Sequence, residues 1–230
     1  SNCAQSMTVL NMIVANQLQE FKVEVDGMIK DGMKKDDAIF NVLKEYIKVS
    51  KSIRFEGDGY GDEWKAEAEK RGLSNVPKTP EALDFYVSKS ALNMFKSTGV
   101  MNEVEVEARH DIMLEEYQKR IQIESRVLGD LAGNHIVPTA IRYQNTLIDN
   151  VQRLKNILDE KTFTSVAKEQ LEMIKEISKR ISKIISNKEE MIEARRKANA
   201  LGSTKEMAHA YCNDILPYFD KIRYQVDKLE

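Results

Sequence analysis

Proline and glycine are scarce in this chain, four and ten among 230 residues, below ordinary usage of roughly 5% and 7%. So few turn formers leave little room for hairpins, which argues against an all-β fold. Cysteine occurs only at Cys3 and Cys212. Neither sits in a CxxC or Cys/His spacing, so a structural zinc is not expected, and both are read as reduced thiols serving as small buried hydrophobes. No run reaches 18 apolar residues, and no basic segment followed by a long apolar run opens the chain. The expectation is a cytoplasmic protein with neither membrane span nor signal peptide. Charge of one sign is lacking too: 35 Lys and Arg against 37 Asp and Glu give a formal net charge of -2, with no general field favouring nucleic acid or an anionic membrane. GxxxxGK[ST], GxGxxG and GxSxG are all missing. His110, His135 and His209 lie far apart, outside any metal-binding spacing, so each is read as structural and neither a catalytic set nor a metal site is assigned. The opening Ser1-Asn2-Cys3 has no Met and runs almost at once into a helical pattern, as a piece cut from a longer chain would.

What the chain does have is helical periodicity, in a composition 42% hydrophobic and 31% charged. Val9, Leu10, Ile13, Val14, Leu18, Phe21 and Val25 recur at steps of one, three and four, which predicts a first helix with one broad apolar face. Met7, Met12 and Met28 read as its core, and Gly27 and Gly32 bracket its end. Asp36-Asp37 open a second helix through Ile39, Val42, Leu43, Tyr46 and Ile47, ending near Ser52. After the irregular stretch RFEGDGYGDEW, Arg54 to Trp64, Asp62 is expected to cap a short helix stopped by Gly72, and Thr79-Pro80 to cap another. Asn102 and Glu105 form a capping box for a very long helix with the stripe Met113, Tyr117, Ile121, Leu128, Leu131, resumed as Leu147, Val151, Leu154, Leu158 beyond a kink at Pro138. About fifty helical residues would span roughly 80 Å, so part of this helix is expected to project. Thr162 and Thr164 are expected to cap the next helix, whose Leu171, Ile174, Ile177, Ile181 and Ile184 repeat at the coiled-coil period. Ser203 and Glu206 open a last helix, with Pro217 as a kink. Short connections between long helices predict an antiparallel bundle, and the fold class expected is all-α.

One segment stands out chemically. GDGYGD joins backbone freedom to Asp58, Tyr60 and Asp62, with Arg54 and Glu56 just before. It reads either as a loop that orders around a ligand or neighbouring subunit, or as a polar connection between helices. Its acidic spacing does not fit an EF-hand. The Lys and Arg of the helix after Thr162 alternate with Glu169, Glu172, Glu176, Glu189, Glu190 and Glu193, the pattern of a solvated flank. On the residues alone, a stand-alone helical scaffold or partner-binding module explains the bundle, and a nucleotide-binding regulatory domain explains the glycine loop.

Four stretches together resemble a known family: NCAQSMTVLNMIVANQL, RFEGDGYGDEWKAEAEKRGLSN, TPEALDFYVSKSALNMFKSTGVMNEVEVEARHDIMLEEYQKR and YCNDILPYFDKIRYQVDKLE. They are similar to the C-terminal portion of the bacterial type III glutamine synthetases, most specifically at GDGYGDEW and EAEKRGL and least between about 160 and 200. The resemblance implies that residues 1–101 are the tail of a catalytic domain and 102–230 a C-terminal helical bundle. It implies a parent enzyme that ligates ammonia to glutamate through γ-glutamyl phosphate, with ATP and Mg or Mn, on a homo-oligomeric ring. Partners would be the rest of that catalytic domain and neighbouring subunits. The family's metal, glutamate and phosphate ligands lie mostly on upstream strands, so this chain alone is expected to be structural and inactive. Arg54, Glu56, Asp58, Tyr60 and Asp62 become candidates for a loop beside the active site or between subunits.

Overall fold

The computed structural model describes residues 3 to 229. The fold is all-α, with no strand among the described residues. The chain divides into two compact units, 1–110 and 111–230.

The first unit holds α1 (Ala4–Lys30), α2 (Lys35–Val49), α3 (Asp62–Lys70), α4 (Thr79–Asp84), α5 (Lys89–Thr98) and the opening turns of α6 (Glu103–Asp130). α1 runs straight through Gly27. It ends where Gly32 takes φ +95° and the Met33 N–H donates 3.0 Å back to the Met28 carbonyl, a left-handed stop that suits glycine. The apolar residues of α1 do not share one buried face. In its first half Met12 is buried with Phe95 and Val106, and Val9 packs beside them. In its second half Val25 is buried with Ala38 and Val42 of α2, joined by Phe21 and Met28. Leu10, Ile13, Val14 and Leu18, expected in the stripe, are exposed, and so is Met7. The physical reason is reach: α5 and α2 cover different sides of different halves of α1.

The starts of α2, α3, α4 and α6 lie within a residue of those expected from the sequence. Asn102 and Glu105 form the reciprocal box, with the Glu105 N–H donating to Asn102 Oδ1 at 3.0 Å and the Asn102 N–H to Glu105 Oε2 at 2.8 Å. Asp62 does not cap α3. Gly61 takes the cap position, and Asp62, one residue inside, pairs with Lys65. Likewise Lys78, not Thr79, precedes α4. His110 is buried with its Nε2 3.1 Å from Asp84 Oδ1.

The second unit continues α6 into a π-helical turn (Leu131–Ile136) and α7 (Val137–Ile157). It then adds α8 (Glu160–Val166), α9 (Lys168–Ala198), α10 (Thr204–Ala210), a second π turn (Tyr211–Ile215) and α11 (Pro217–Asp227). Cross-helix contacts fix the directions. Asn150 donates to Gln170, Gln144 to the Ile174 carbonyl, and Gln122 to Asn199, so α6–α7 and α9 run antiparallel. Arg180 donates to Gln225 and Tyr218 to Glu190, so α11 runs antiparallel to α9 in turn. Ile177, Ile184, Met191 and Ala198, all buried, lie at seven-residue steps along α9, with Ile181 between the first two. They form one core with Ile121, Ala132, Val137, Tyr211, Ile215 and Ile222.

Both prolines inside long helices sit just past a π turn. A proline has no N–H to give, and its ring collides with the carbonyl four residues back. The wider turn makes room and shifts bonding one residue further, as where the Leu216 N–H donates 3.0 Å to the Tyr211 carbonyl. Leu131, expected in the core, is exposed because α6 turns inward the side of Leu114, Gln118, Ile121 and Ser125, which Ala132 continues, and the extra residue of the π turn brings Val137 back to that side. Thr162 and Thr164 lie inside α8 instead of capping a long helix. Asp159 caps α8, accepting N–H bonds from Lys161 and Thr162 at 3.1 Å, and buried Ala167 joins α8 to α9, its N–H donating to the Phe163 carbonyl and its carbonyl accepting the Leu171 N–H. Ser203 accepts the Glu206 N–H to start α10. Cys212 is buried as expected, beside Tyr117, whose phenol is pushed up by burial and by the Cys212 thiol. Cys3 is instead exposed.

The phase of α9 can be tested on neighbouring residues. Ile184 is 0% exposed and Ile185 37% exposed. We expect Ile184→Ala to cost about 3 kcal/mol in urea unfolding and Ile185→Ala less than about 0.5 kcal/mol.

Candidate functional site

The glycine-acid loop between α2 and α3 is held at its base by aromatic and guanidinium contacts. Phe55 and Trp64, at its two ends, stack with ring centres 3.8 Å apart and planes 20° from parallel. The Arg71 guanidinium lies 5.6 Å from the Trp64 ring centre and donates from Nη1 to the carbonyls of Arg54, at 3.1 Å, and Ser52, at 3.4 Å. Its Nε meets Glu67 at 2.8 Å, which holds that carboxyl below its usual range. Arg71 can reach the loop because α3 ends there: Gly72, at φ +75°, turns the chain back, and the Leu73 N–H donates to the Ala68 carbonyl at 2.9 Å. Gly57 is required at its position. It takes φ +147°, and a Cβ there would meet the Phe55 ring at 2.9 Å.

The five candidate residues share this loop but not one focus. Arg54 donates to the Ile47 carbonyl at the end of α2. Asp58 accepts the Tyr60 N–H at 2.9 Å, an Asx turn that shapes the tip. Asp62 pairs with Lys65 at 2.7 Å, which lowers its carboxyl from the ordinary value. Glu56 is exposed, and Tyr60, 94% exposed, is the most prominent side chain of the tip. Sequence reasoning singled out the acids and missed the brace of Phe55, Trp64 and Arg71. The available signal was an aromatic residue on each flank of the glycine run.

The second unit carries a groove of about 820 Å³ along the first π turn, lined by His135, Tyr143, Met173, Glu176, Val226 and Lys228 among others. No group of three His, Cys, Asp or Glu among the described residues converges as a metal ion would need. No described helix is long and apolar enough to cross a membrane.

Comparison with known proteins fits this helical architecture to a class. Residues 38–155 match the family described as glutamine synthetase C-terminal domain, and the chain belongs to that family. Among its relatives, the glutamine synthetase of Bacteroides fragilis (strain YCH46) is 46% identical over 230 residues, all of this chain and 32% of that protein. The type-3 glutamine synthetase of Dictyostelium discoideum is 27% identical over 222 residues, 96% of this chain and 30% of that protein. The glutamine synthetase of Butyrivibrio fibrisolvens is 27% identical over 194 residues, 84% of this chain and 27% of that protein. This chain thus spans about a third of the length of the curated relatives it matches.

Trp64 is the sole tryptophan, so its fluorescence reports on the loop brace alone. We expect Gly57→Ala to displace Phe55, and Arg71→Ala to remove the guanidinium. Each should shift Trp64 emission to longer wavelength while far-ultraviolet circular dichroism stays unchanged.

Proposed function

We propose that this chain is the C-terminal part of a larger synthetase that joins ammonia to L-glutamate with ATP, through γ-glutamyl phosphate, as the type III glutamine synthetases do. The observation that carries the reading is the 46% identity, over every residue of the chain, to the Bacteroides fragilis protein named glutamine synthetase. In this reading residues 1–101 complete the catalytic domain. Residues 102–230 form a C-terminal coiled-coil-like bundle with a structural or oligomerisation role, in a ring of subunits in the cytoplasm.

The carboxylates of the loop do not suit the parent's Mg or Mn. The loop carboxylates Asp58 and Asp62 are engaged by the Tyr60 amide and by Lys65, and no three ligands converge among the described residues. No step of the reaction is assigned to residues here. What the chain offers is the braced tip around Tyr60. Its high exposure, on a base fixed by Arg71, suits a contact with the rest of the catalytic domain or a neighbouring subunit.

Two measurements test the reading. With glutamate, ammonia, ATP and magnesium, the full-length polypeptide should form glutamine and the isolated 230-residue chain none above a no-protein blank. A full-length protein without this activity would overturn the assignment. Tyr60→Ala should leave the melting temperature of the isolated chain within about 1 °C, as surface substitutions do, and should lower glutamine formation or weaken assembly in the full-length protein. If neither changes, the loop is only a connector.

A further inference from the structure

We propose that the bare apolar face on the first half of α1 docks against the portion of the polypeptide that precedes this chain in its longer relatives. The inference rests on the reading that the chain is part of a longer synthetase. Met7, Leu10, Val14 and Leu18 succeed one another at steps of three, four and four, which stacks them on one side of the helix. Leu10, Val14 and Leu18 are 63%, 58% and 61% exposed. The same side, continued along the helix, carries Phe21, Val25 and Met28, which α2 covers. One apolar side is therefore covered in one half of α1 and open in the other.

The open half is already packed elsewhere. Met12 and Val9, on a different side, meet Phe95 and Val106, so this part of α1 is apolar on two sides, the signature of a helix enclosed between neighbours. Charge points the same way. Although 31% of the chain is charged, no Asp, Glu, Lys or Arg occurs before Glu20, whereas a helix side built to meet water carries them. A side with neither charge nor cover fits an apolar partner surface.

The comparisons indicate which partner. The family match to the C-terminal domain begins at residue 38, beyond α1, while the similarity to the Bacteroides fragilis protein runs through all 230 residues. α1 is thus shared with the full-length relatives but lies ahead of the region the C-terminal domain family describes. About two thirds of that relative lies outside the match. We therefore assign the open face to that preceding portion and not to a second copy of this chain.

The test is accessibility of a single thiol. In a Cys3→Ser background, which leaves only the buried Cys212 within these 230 residues, Leu18→Cys is labelled with a maleimide in the native isolated chain and in the native full-length polypeptide, and the label on the peptide carrying residue 18 is read by mass spectrometry. We expect rapid labelling of the isolated chain and at least about tenfold slower labelling of the full-length protein. In parallel, Val14→Asp should leave the melting temperature of the isolated chain unchanged within about 1 °C and lower that of the full-length protein by about 5 °C or more. Should the Val14→Asp full-length protein fail to fold, the thiol comparison still decides. Equal labelling of both proteins overturns the proposal. So does protection that arises in the isolated chain as its concentration is raised and disappears with Val14→Asp, since a second copy would then be the occupant. Glutamine formation by the unmodified full-length protein is read separately. Protection of Leu18→Cys without that activity would keep this inference and discard the synthetase reading.

Discussion

Helical phase is the constraint on which the second unit depends. α9 offers a buried residue every seventh position, Ile177, Ile184, Met191 and Ala198, and both antiparallel neighbours must keep an apolar side turned toward it along their whole length. A straight α-helix repeats every 3.6 residues and drifts by about 20° per heptad against a seven-residue repeat. Each partner of α9 is also interrupted by a proline. The π turns before Pro138 and Pro217 answer both demands at once: they clear the proline ring and re-aim the helix beyond it, so that Val137 and Ile222 arrive in the core. The bonds from Gln122 to Tyr211 and Asn199, and from Tyr211 to Asn199, then tie the end of α9 to both neighbours.

The first unit is organised by shorter-range contacts. Its two small cores lie on α1, one against α5 and one against α2, and its loop is braced by one arginine that satisfies two carbonyls, a carboxylate and an aromatic face together. Such a brace concentrates the order of a glycine-rich segment in a few side chains. The backbone of the tip stays exposed while the flanks are pinned.

Much of this was legible in the sequence because it is written in local chemistry. The Asn102–Glu105 box, the Gly32 and Gly72 stops, the heptad of α9 and the burial of Cys212 each stem from residue type and spacing. What was not legible depends on partners. Periodicity marks Leu10, Val14 and Leu18 as apolar but does not say whether anything covers them. The residues before Pro138 carry no signature separating a π turn from a kinked α turn, and the expected stripe ran through Leu131 because the small and polar Ser125 and Ala132, which α6 turns inward, do not mark a core side. Thr162 and Thr164 are plausible caps until the position of Asp159, three residues upstream of Thr162, is weighed against them. The acids of the loop drew attention by composition, whereas its order comes from Phe55, Trp64 and Arg71, which meet only in three dimensions.

The π turn at Leu131–Ile136 has a consequence for how this protein can change. Each residue added to or removed from a helix turns everything beyond it by about 100°. With one residue fewer between Leu131 and Ile136 and the rest of the helix turned accordingly, Ile148 and Gln152 would stand where Leu147 and Val151 now pack against α9, although no core side chain of α7 had been substituted. Here residue count is as strict a specification as residue identity. Exposed sites along α6 and α7 are open to substitution, but insertion or deletion is confined to the connections outside the helices, such as those around Asp159 and Gly202.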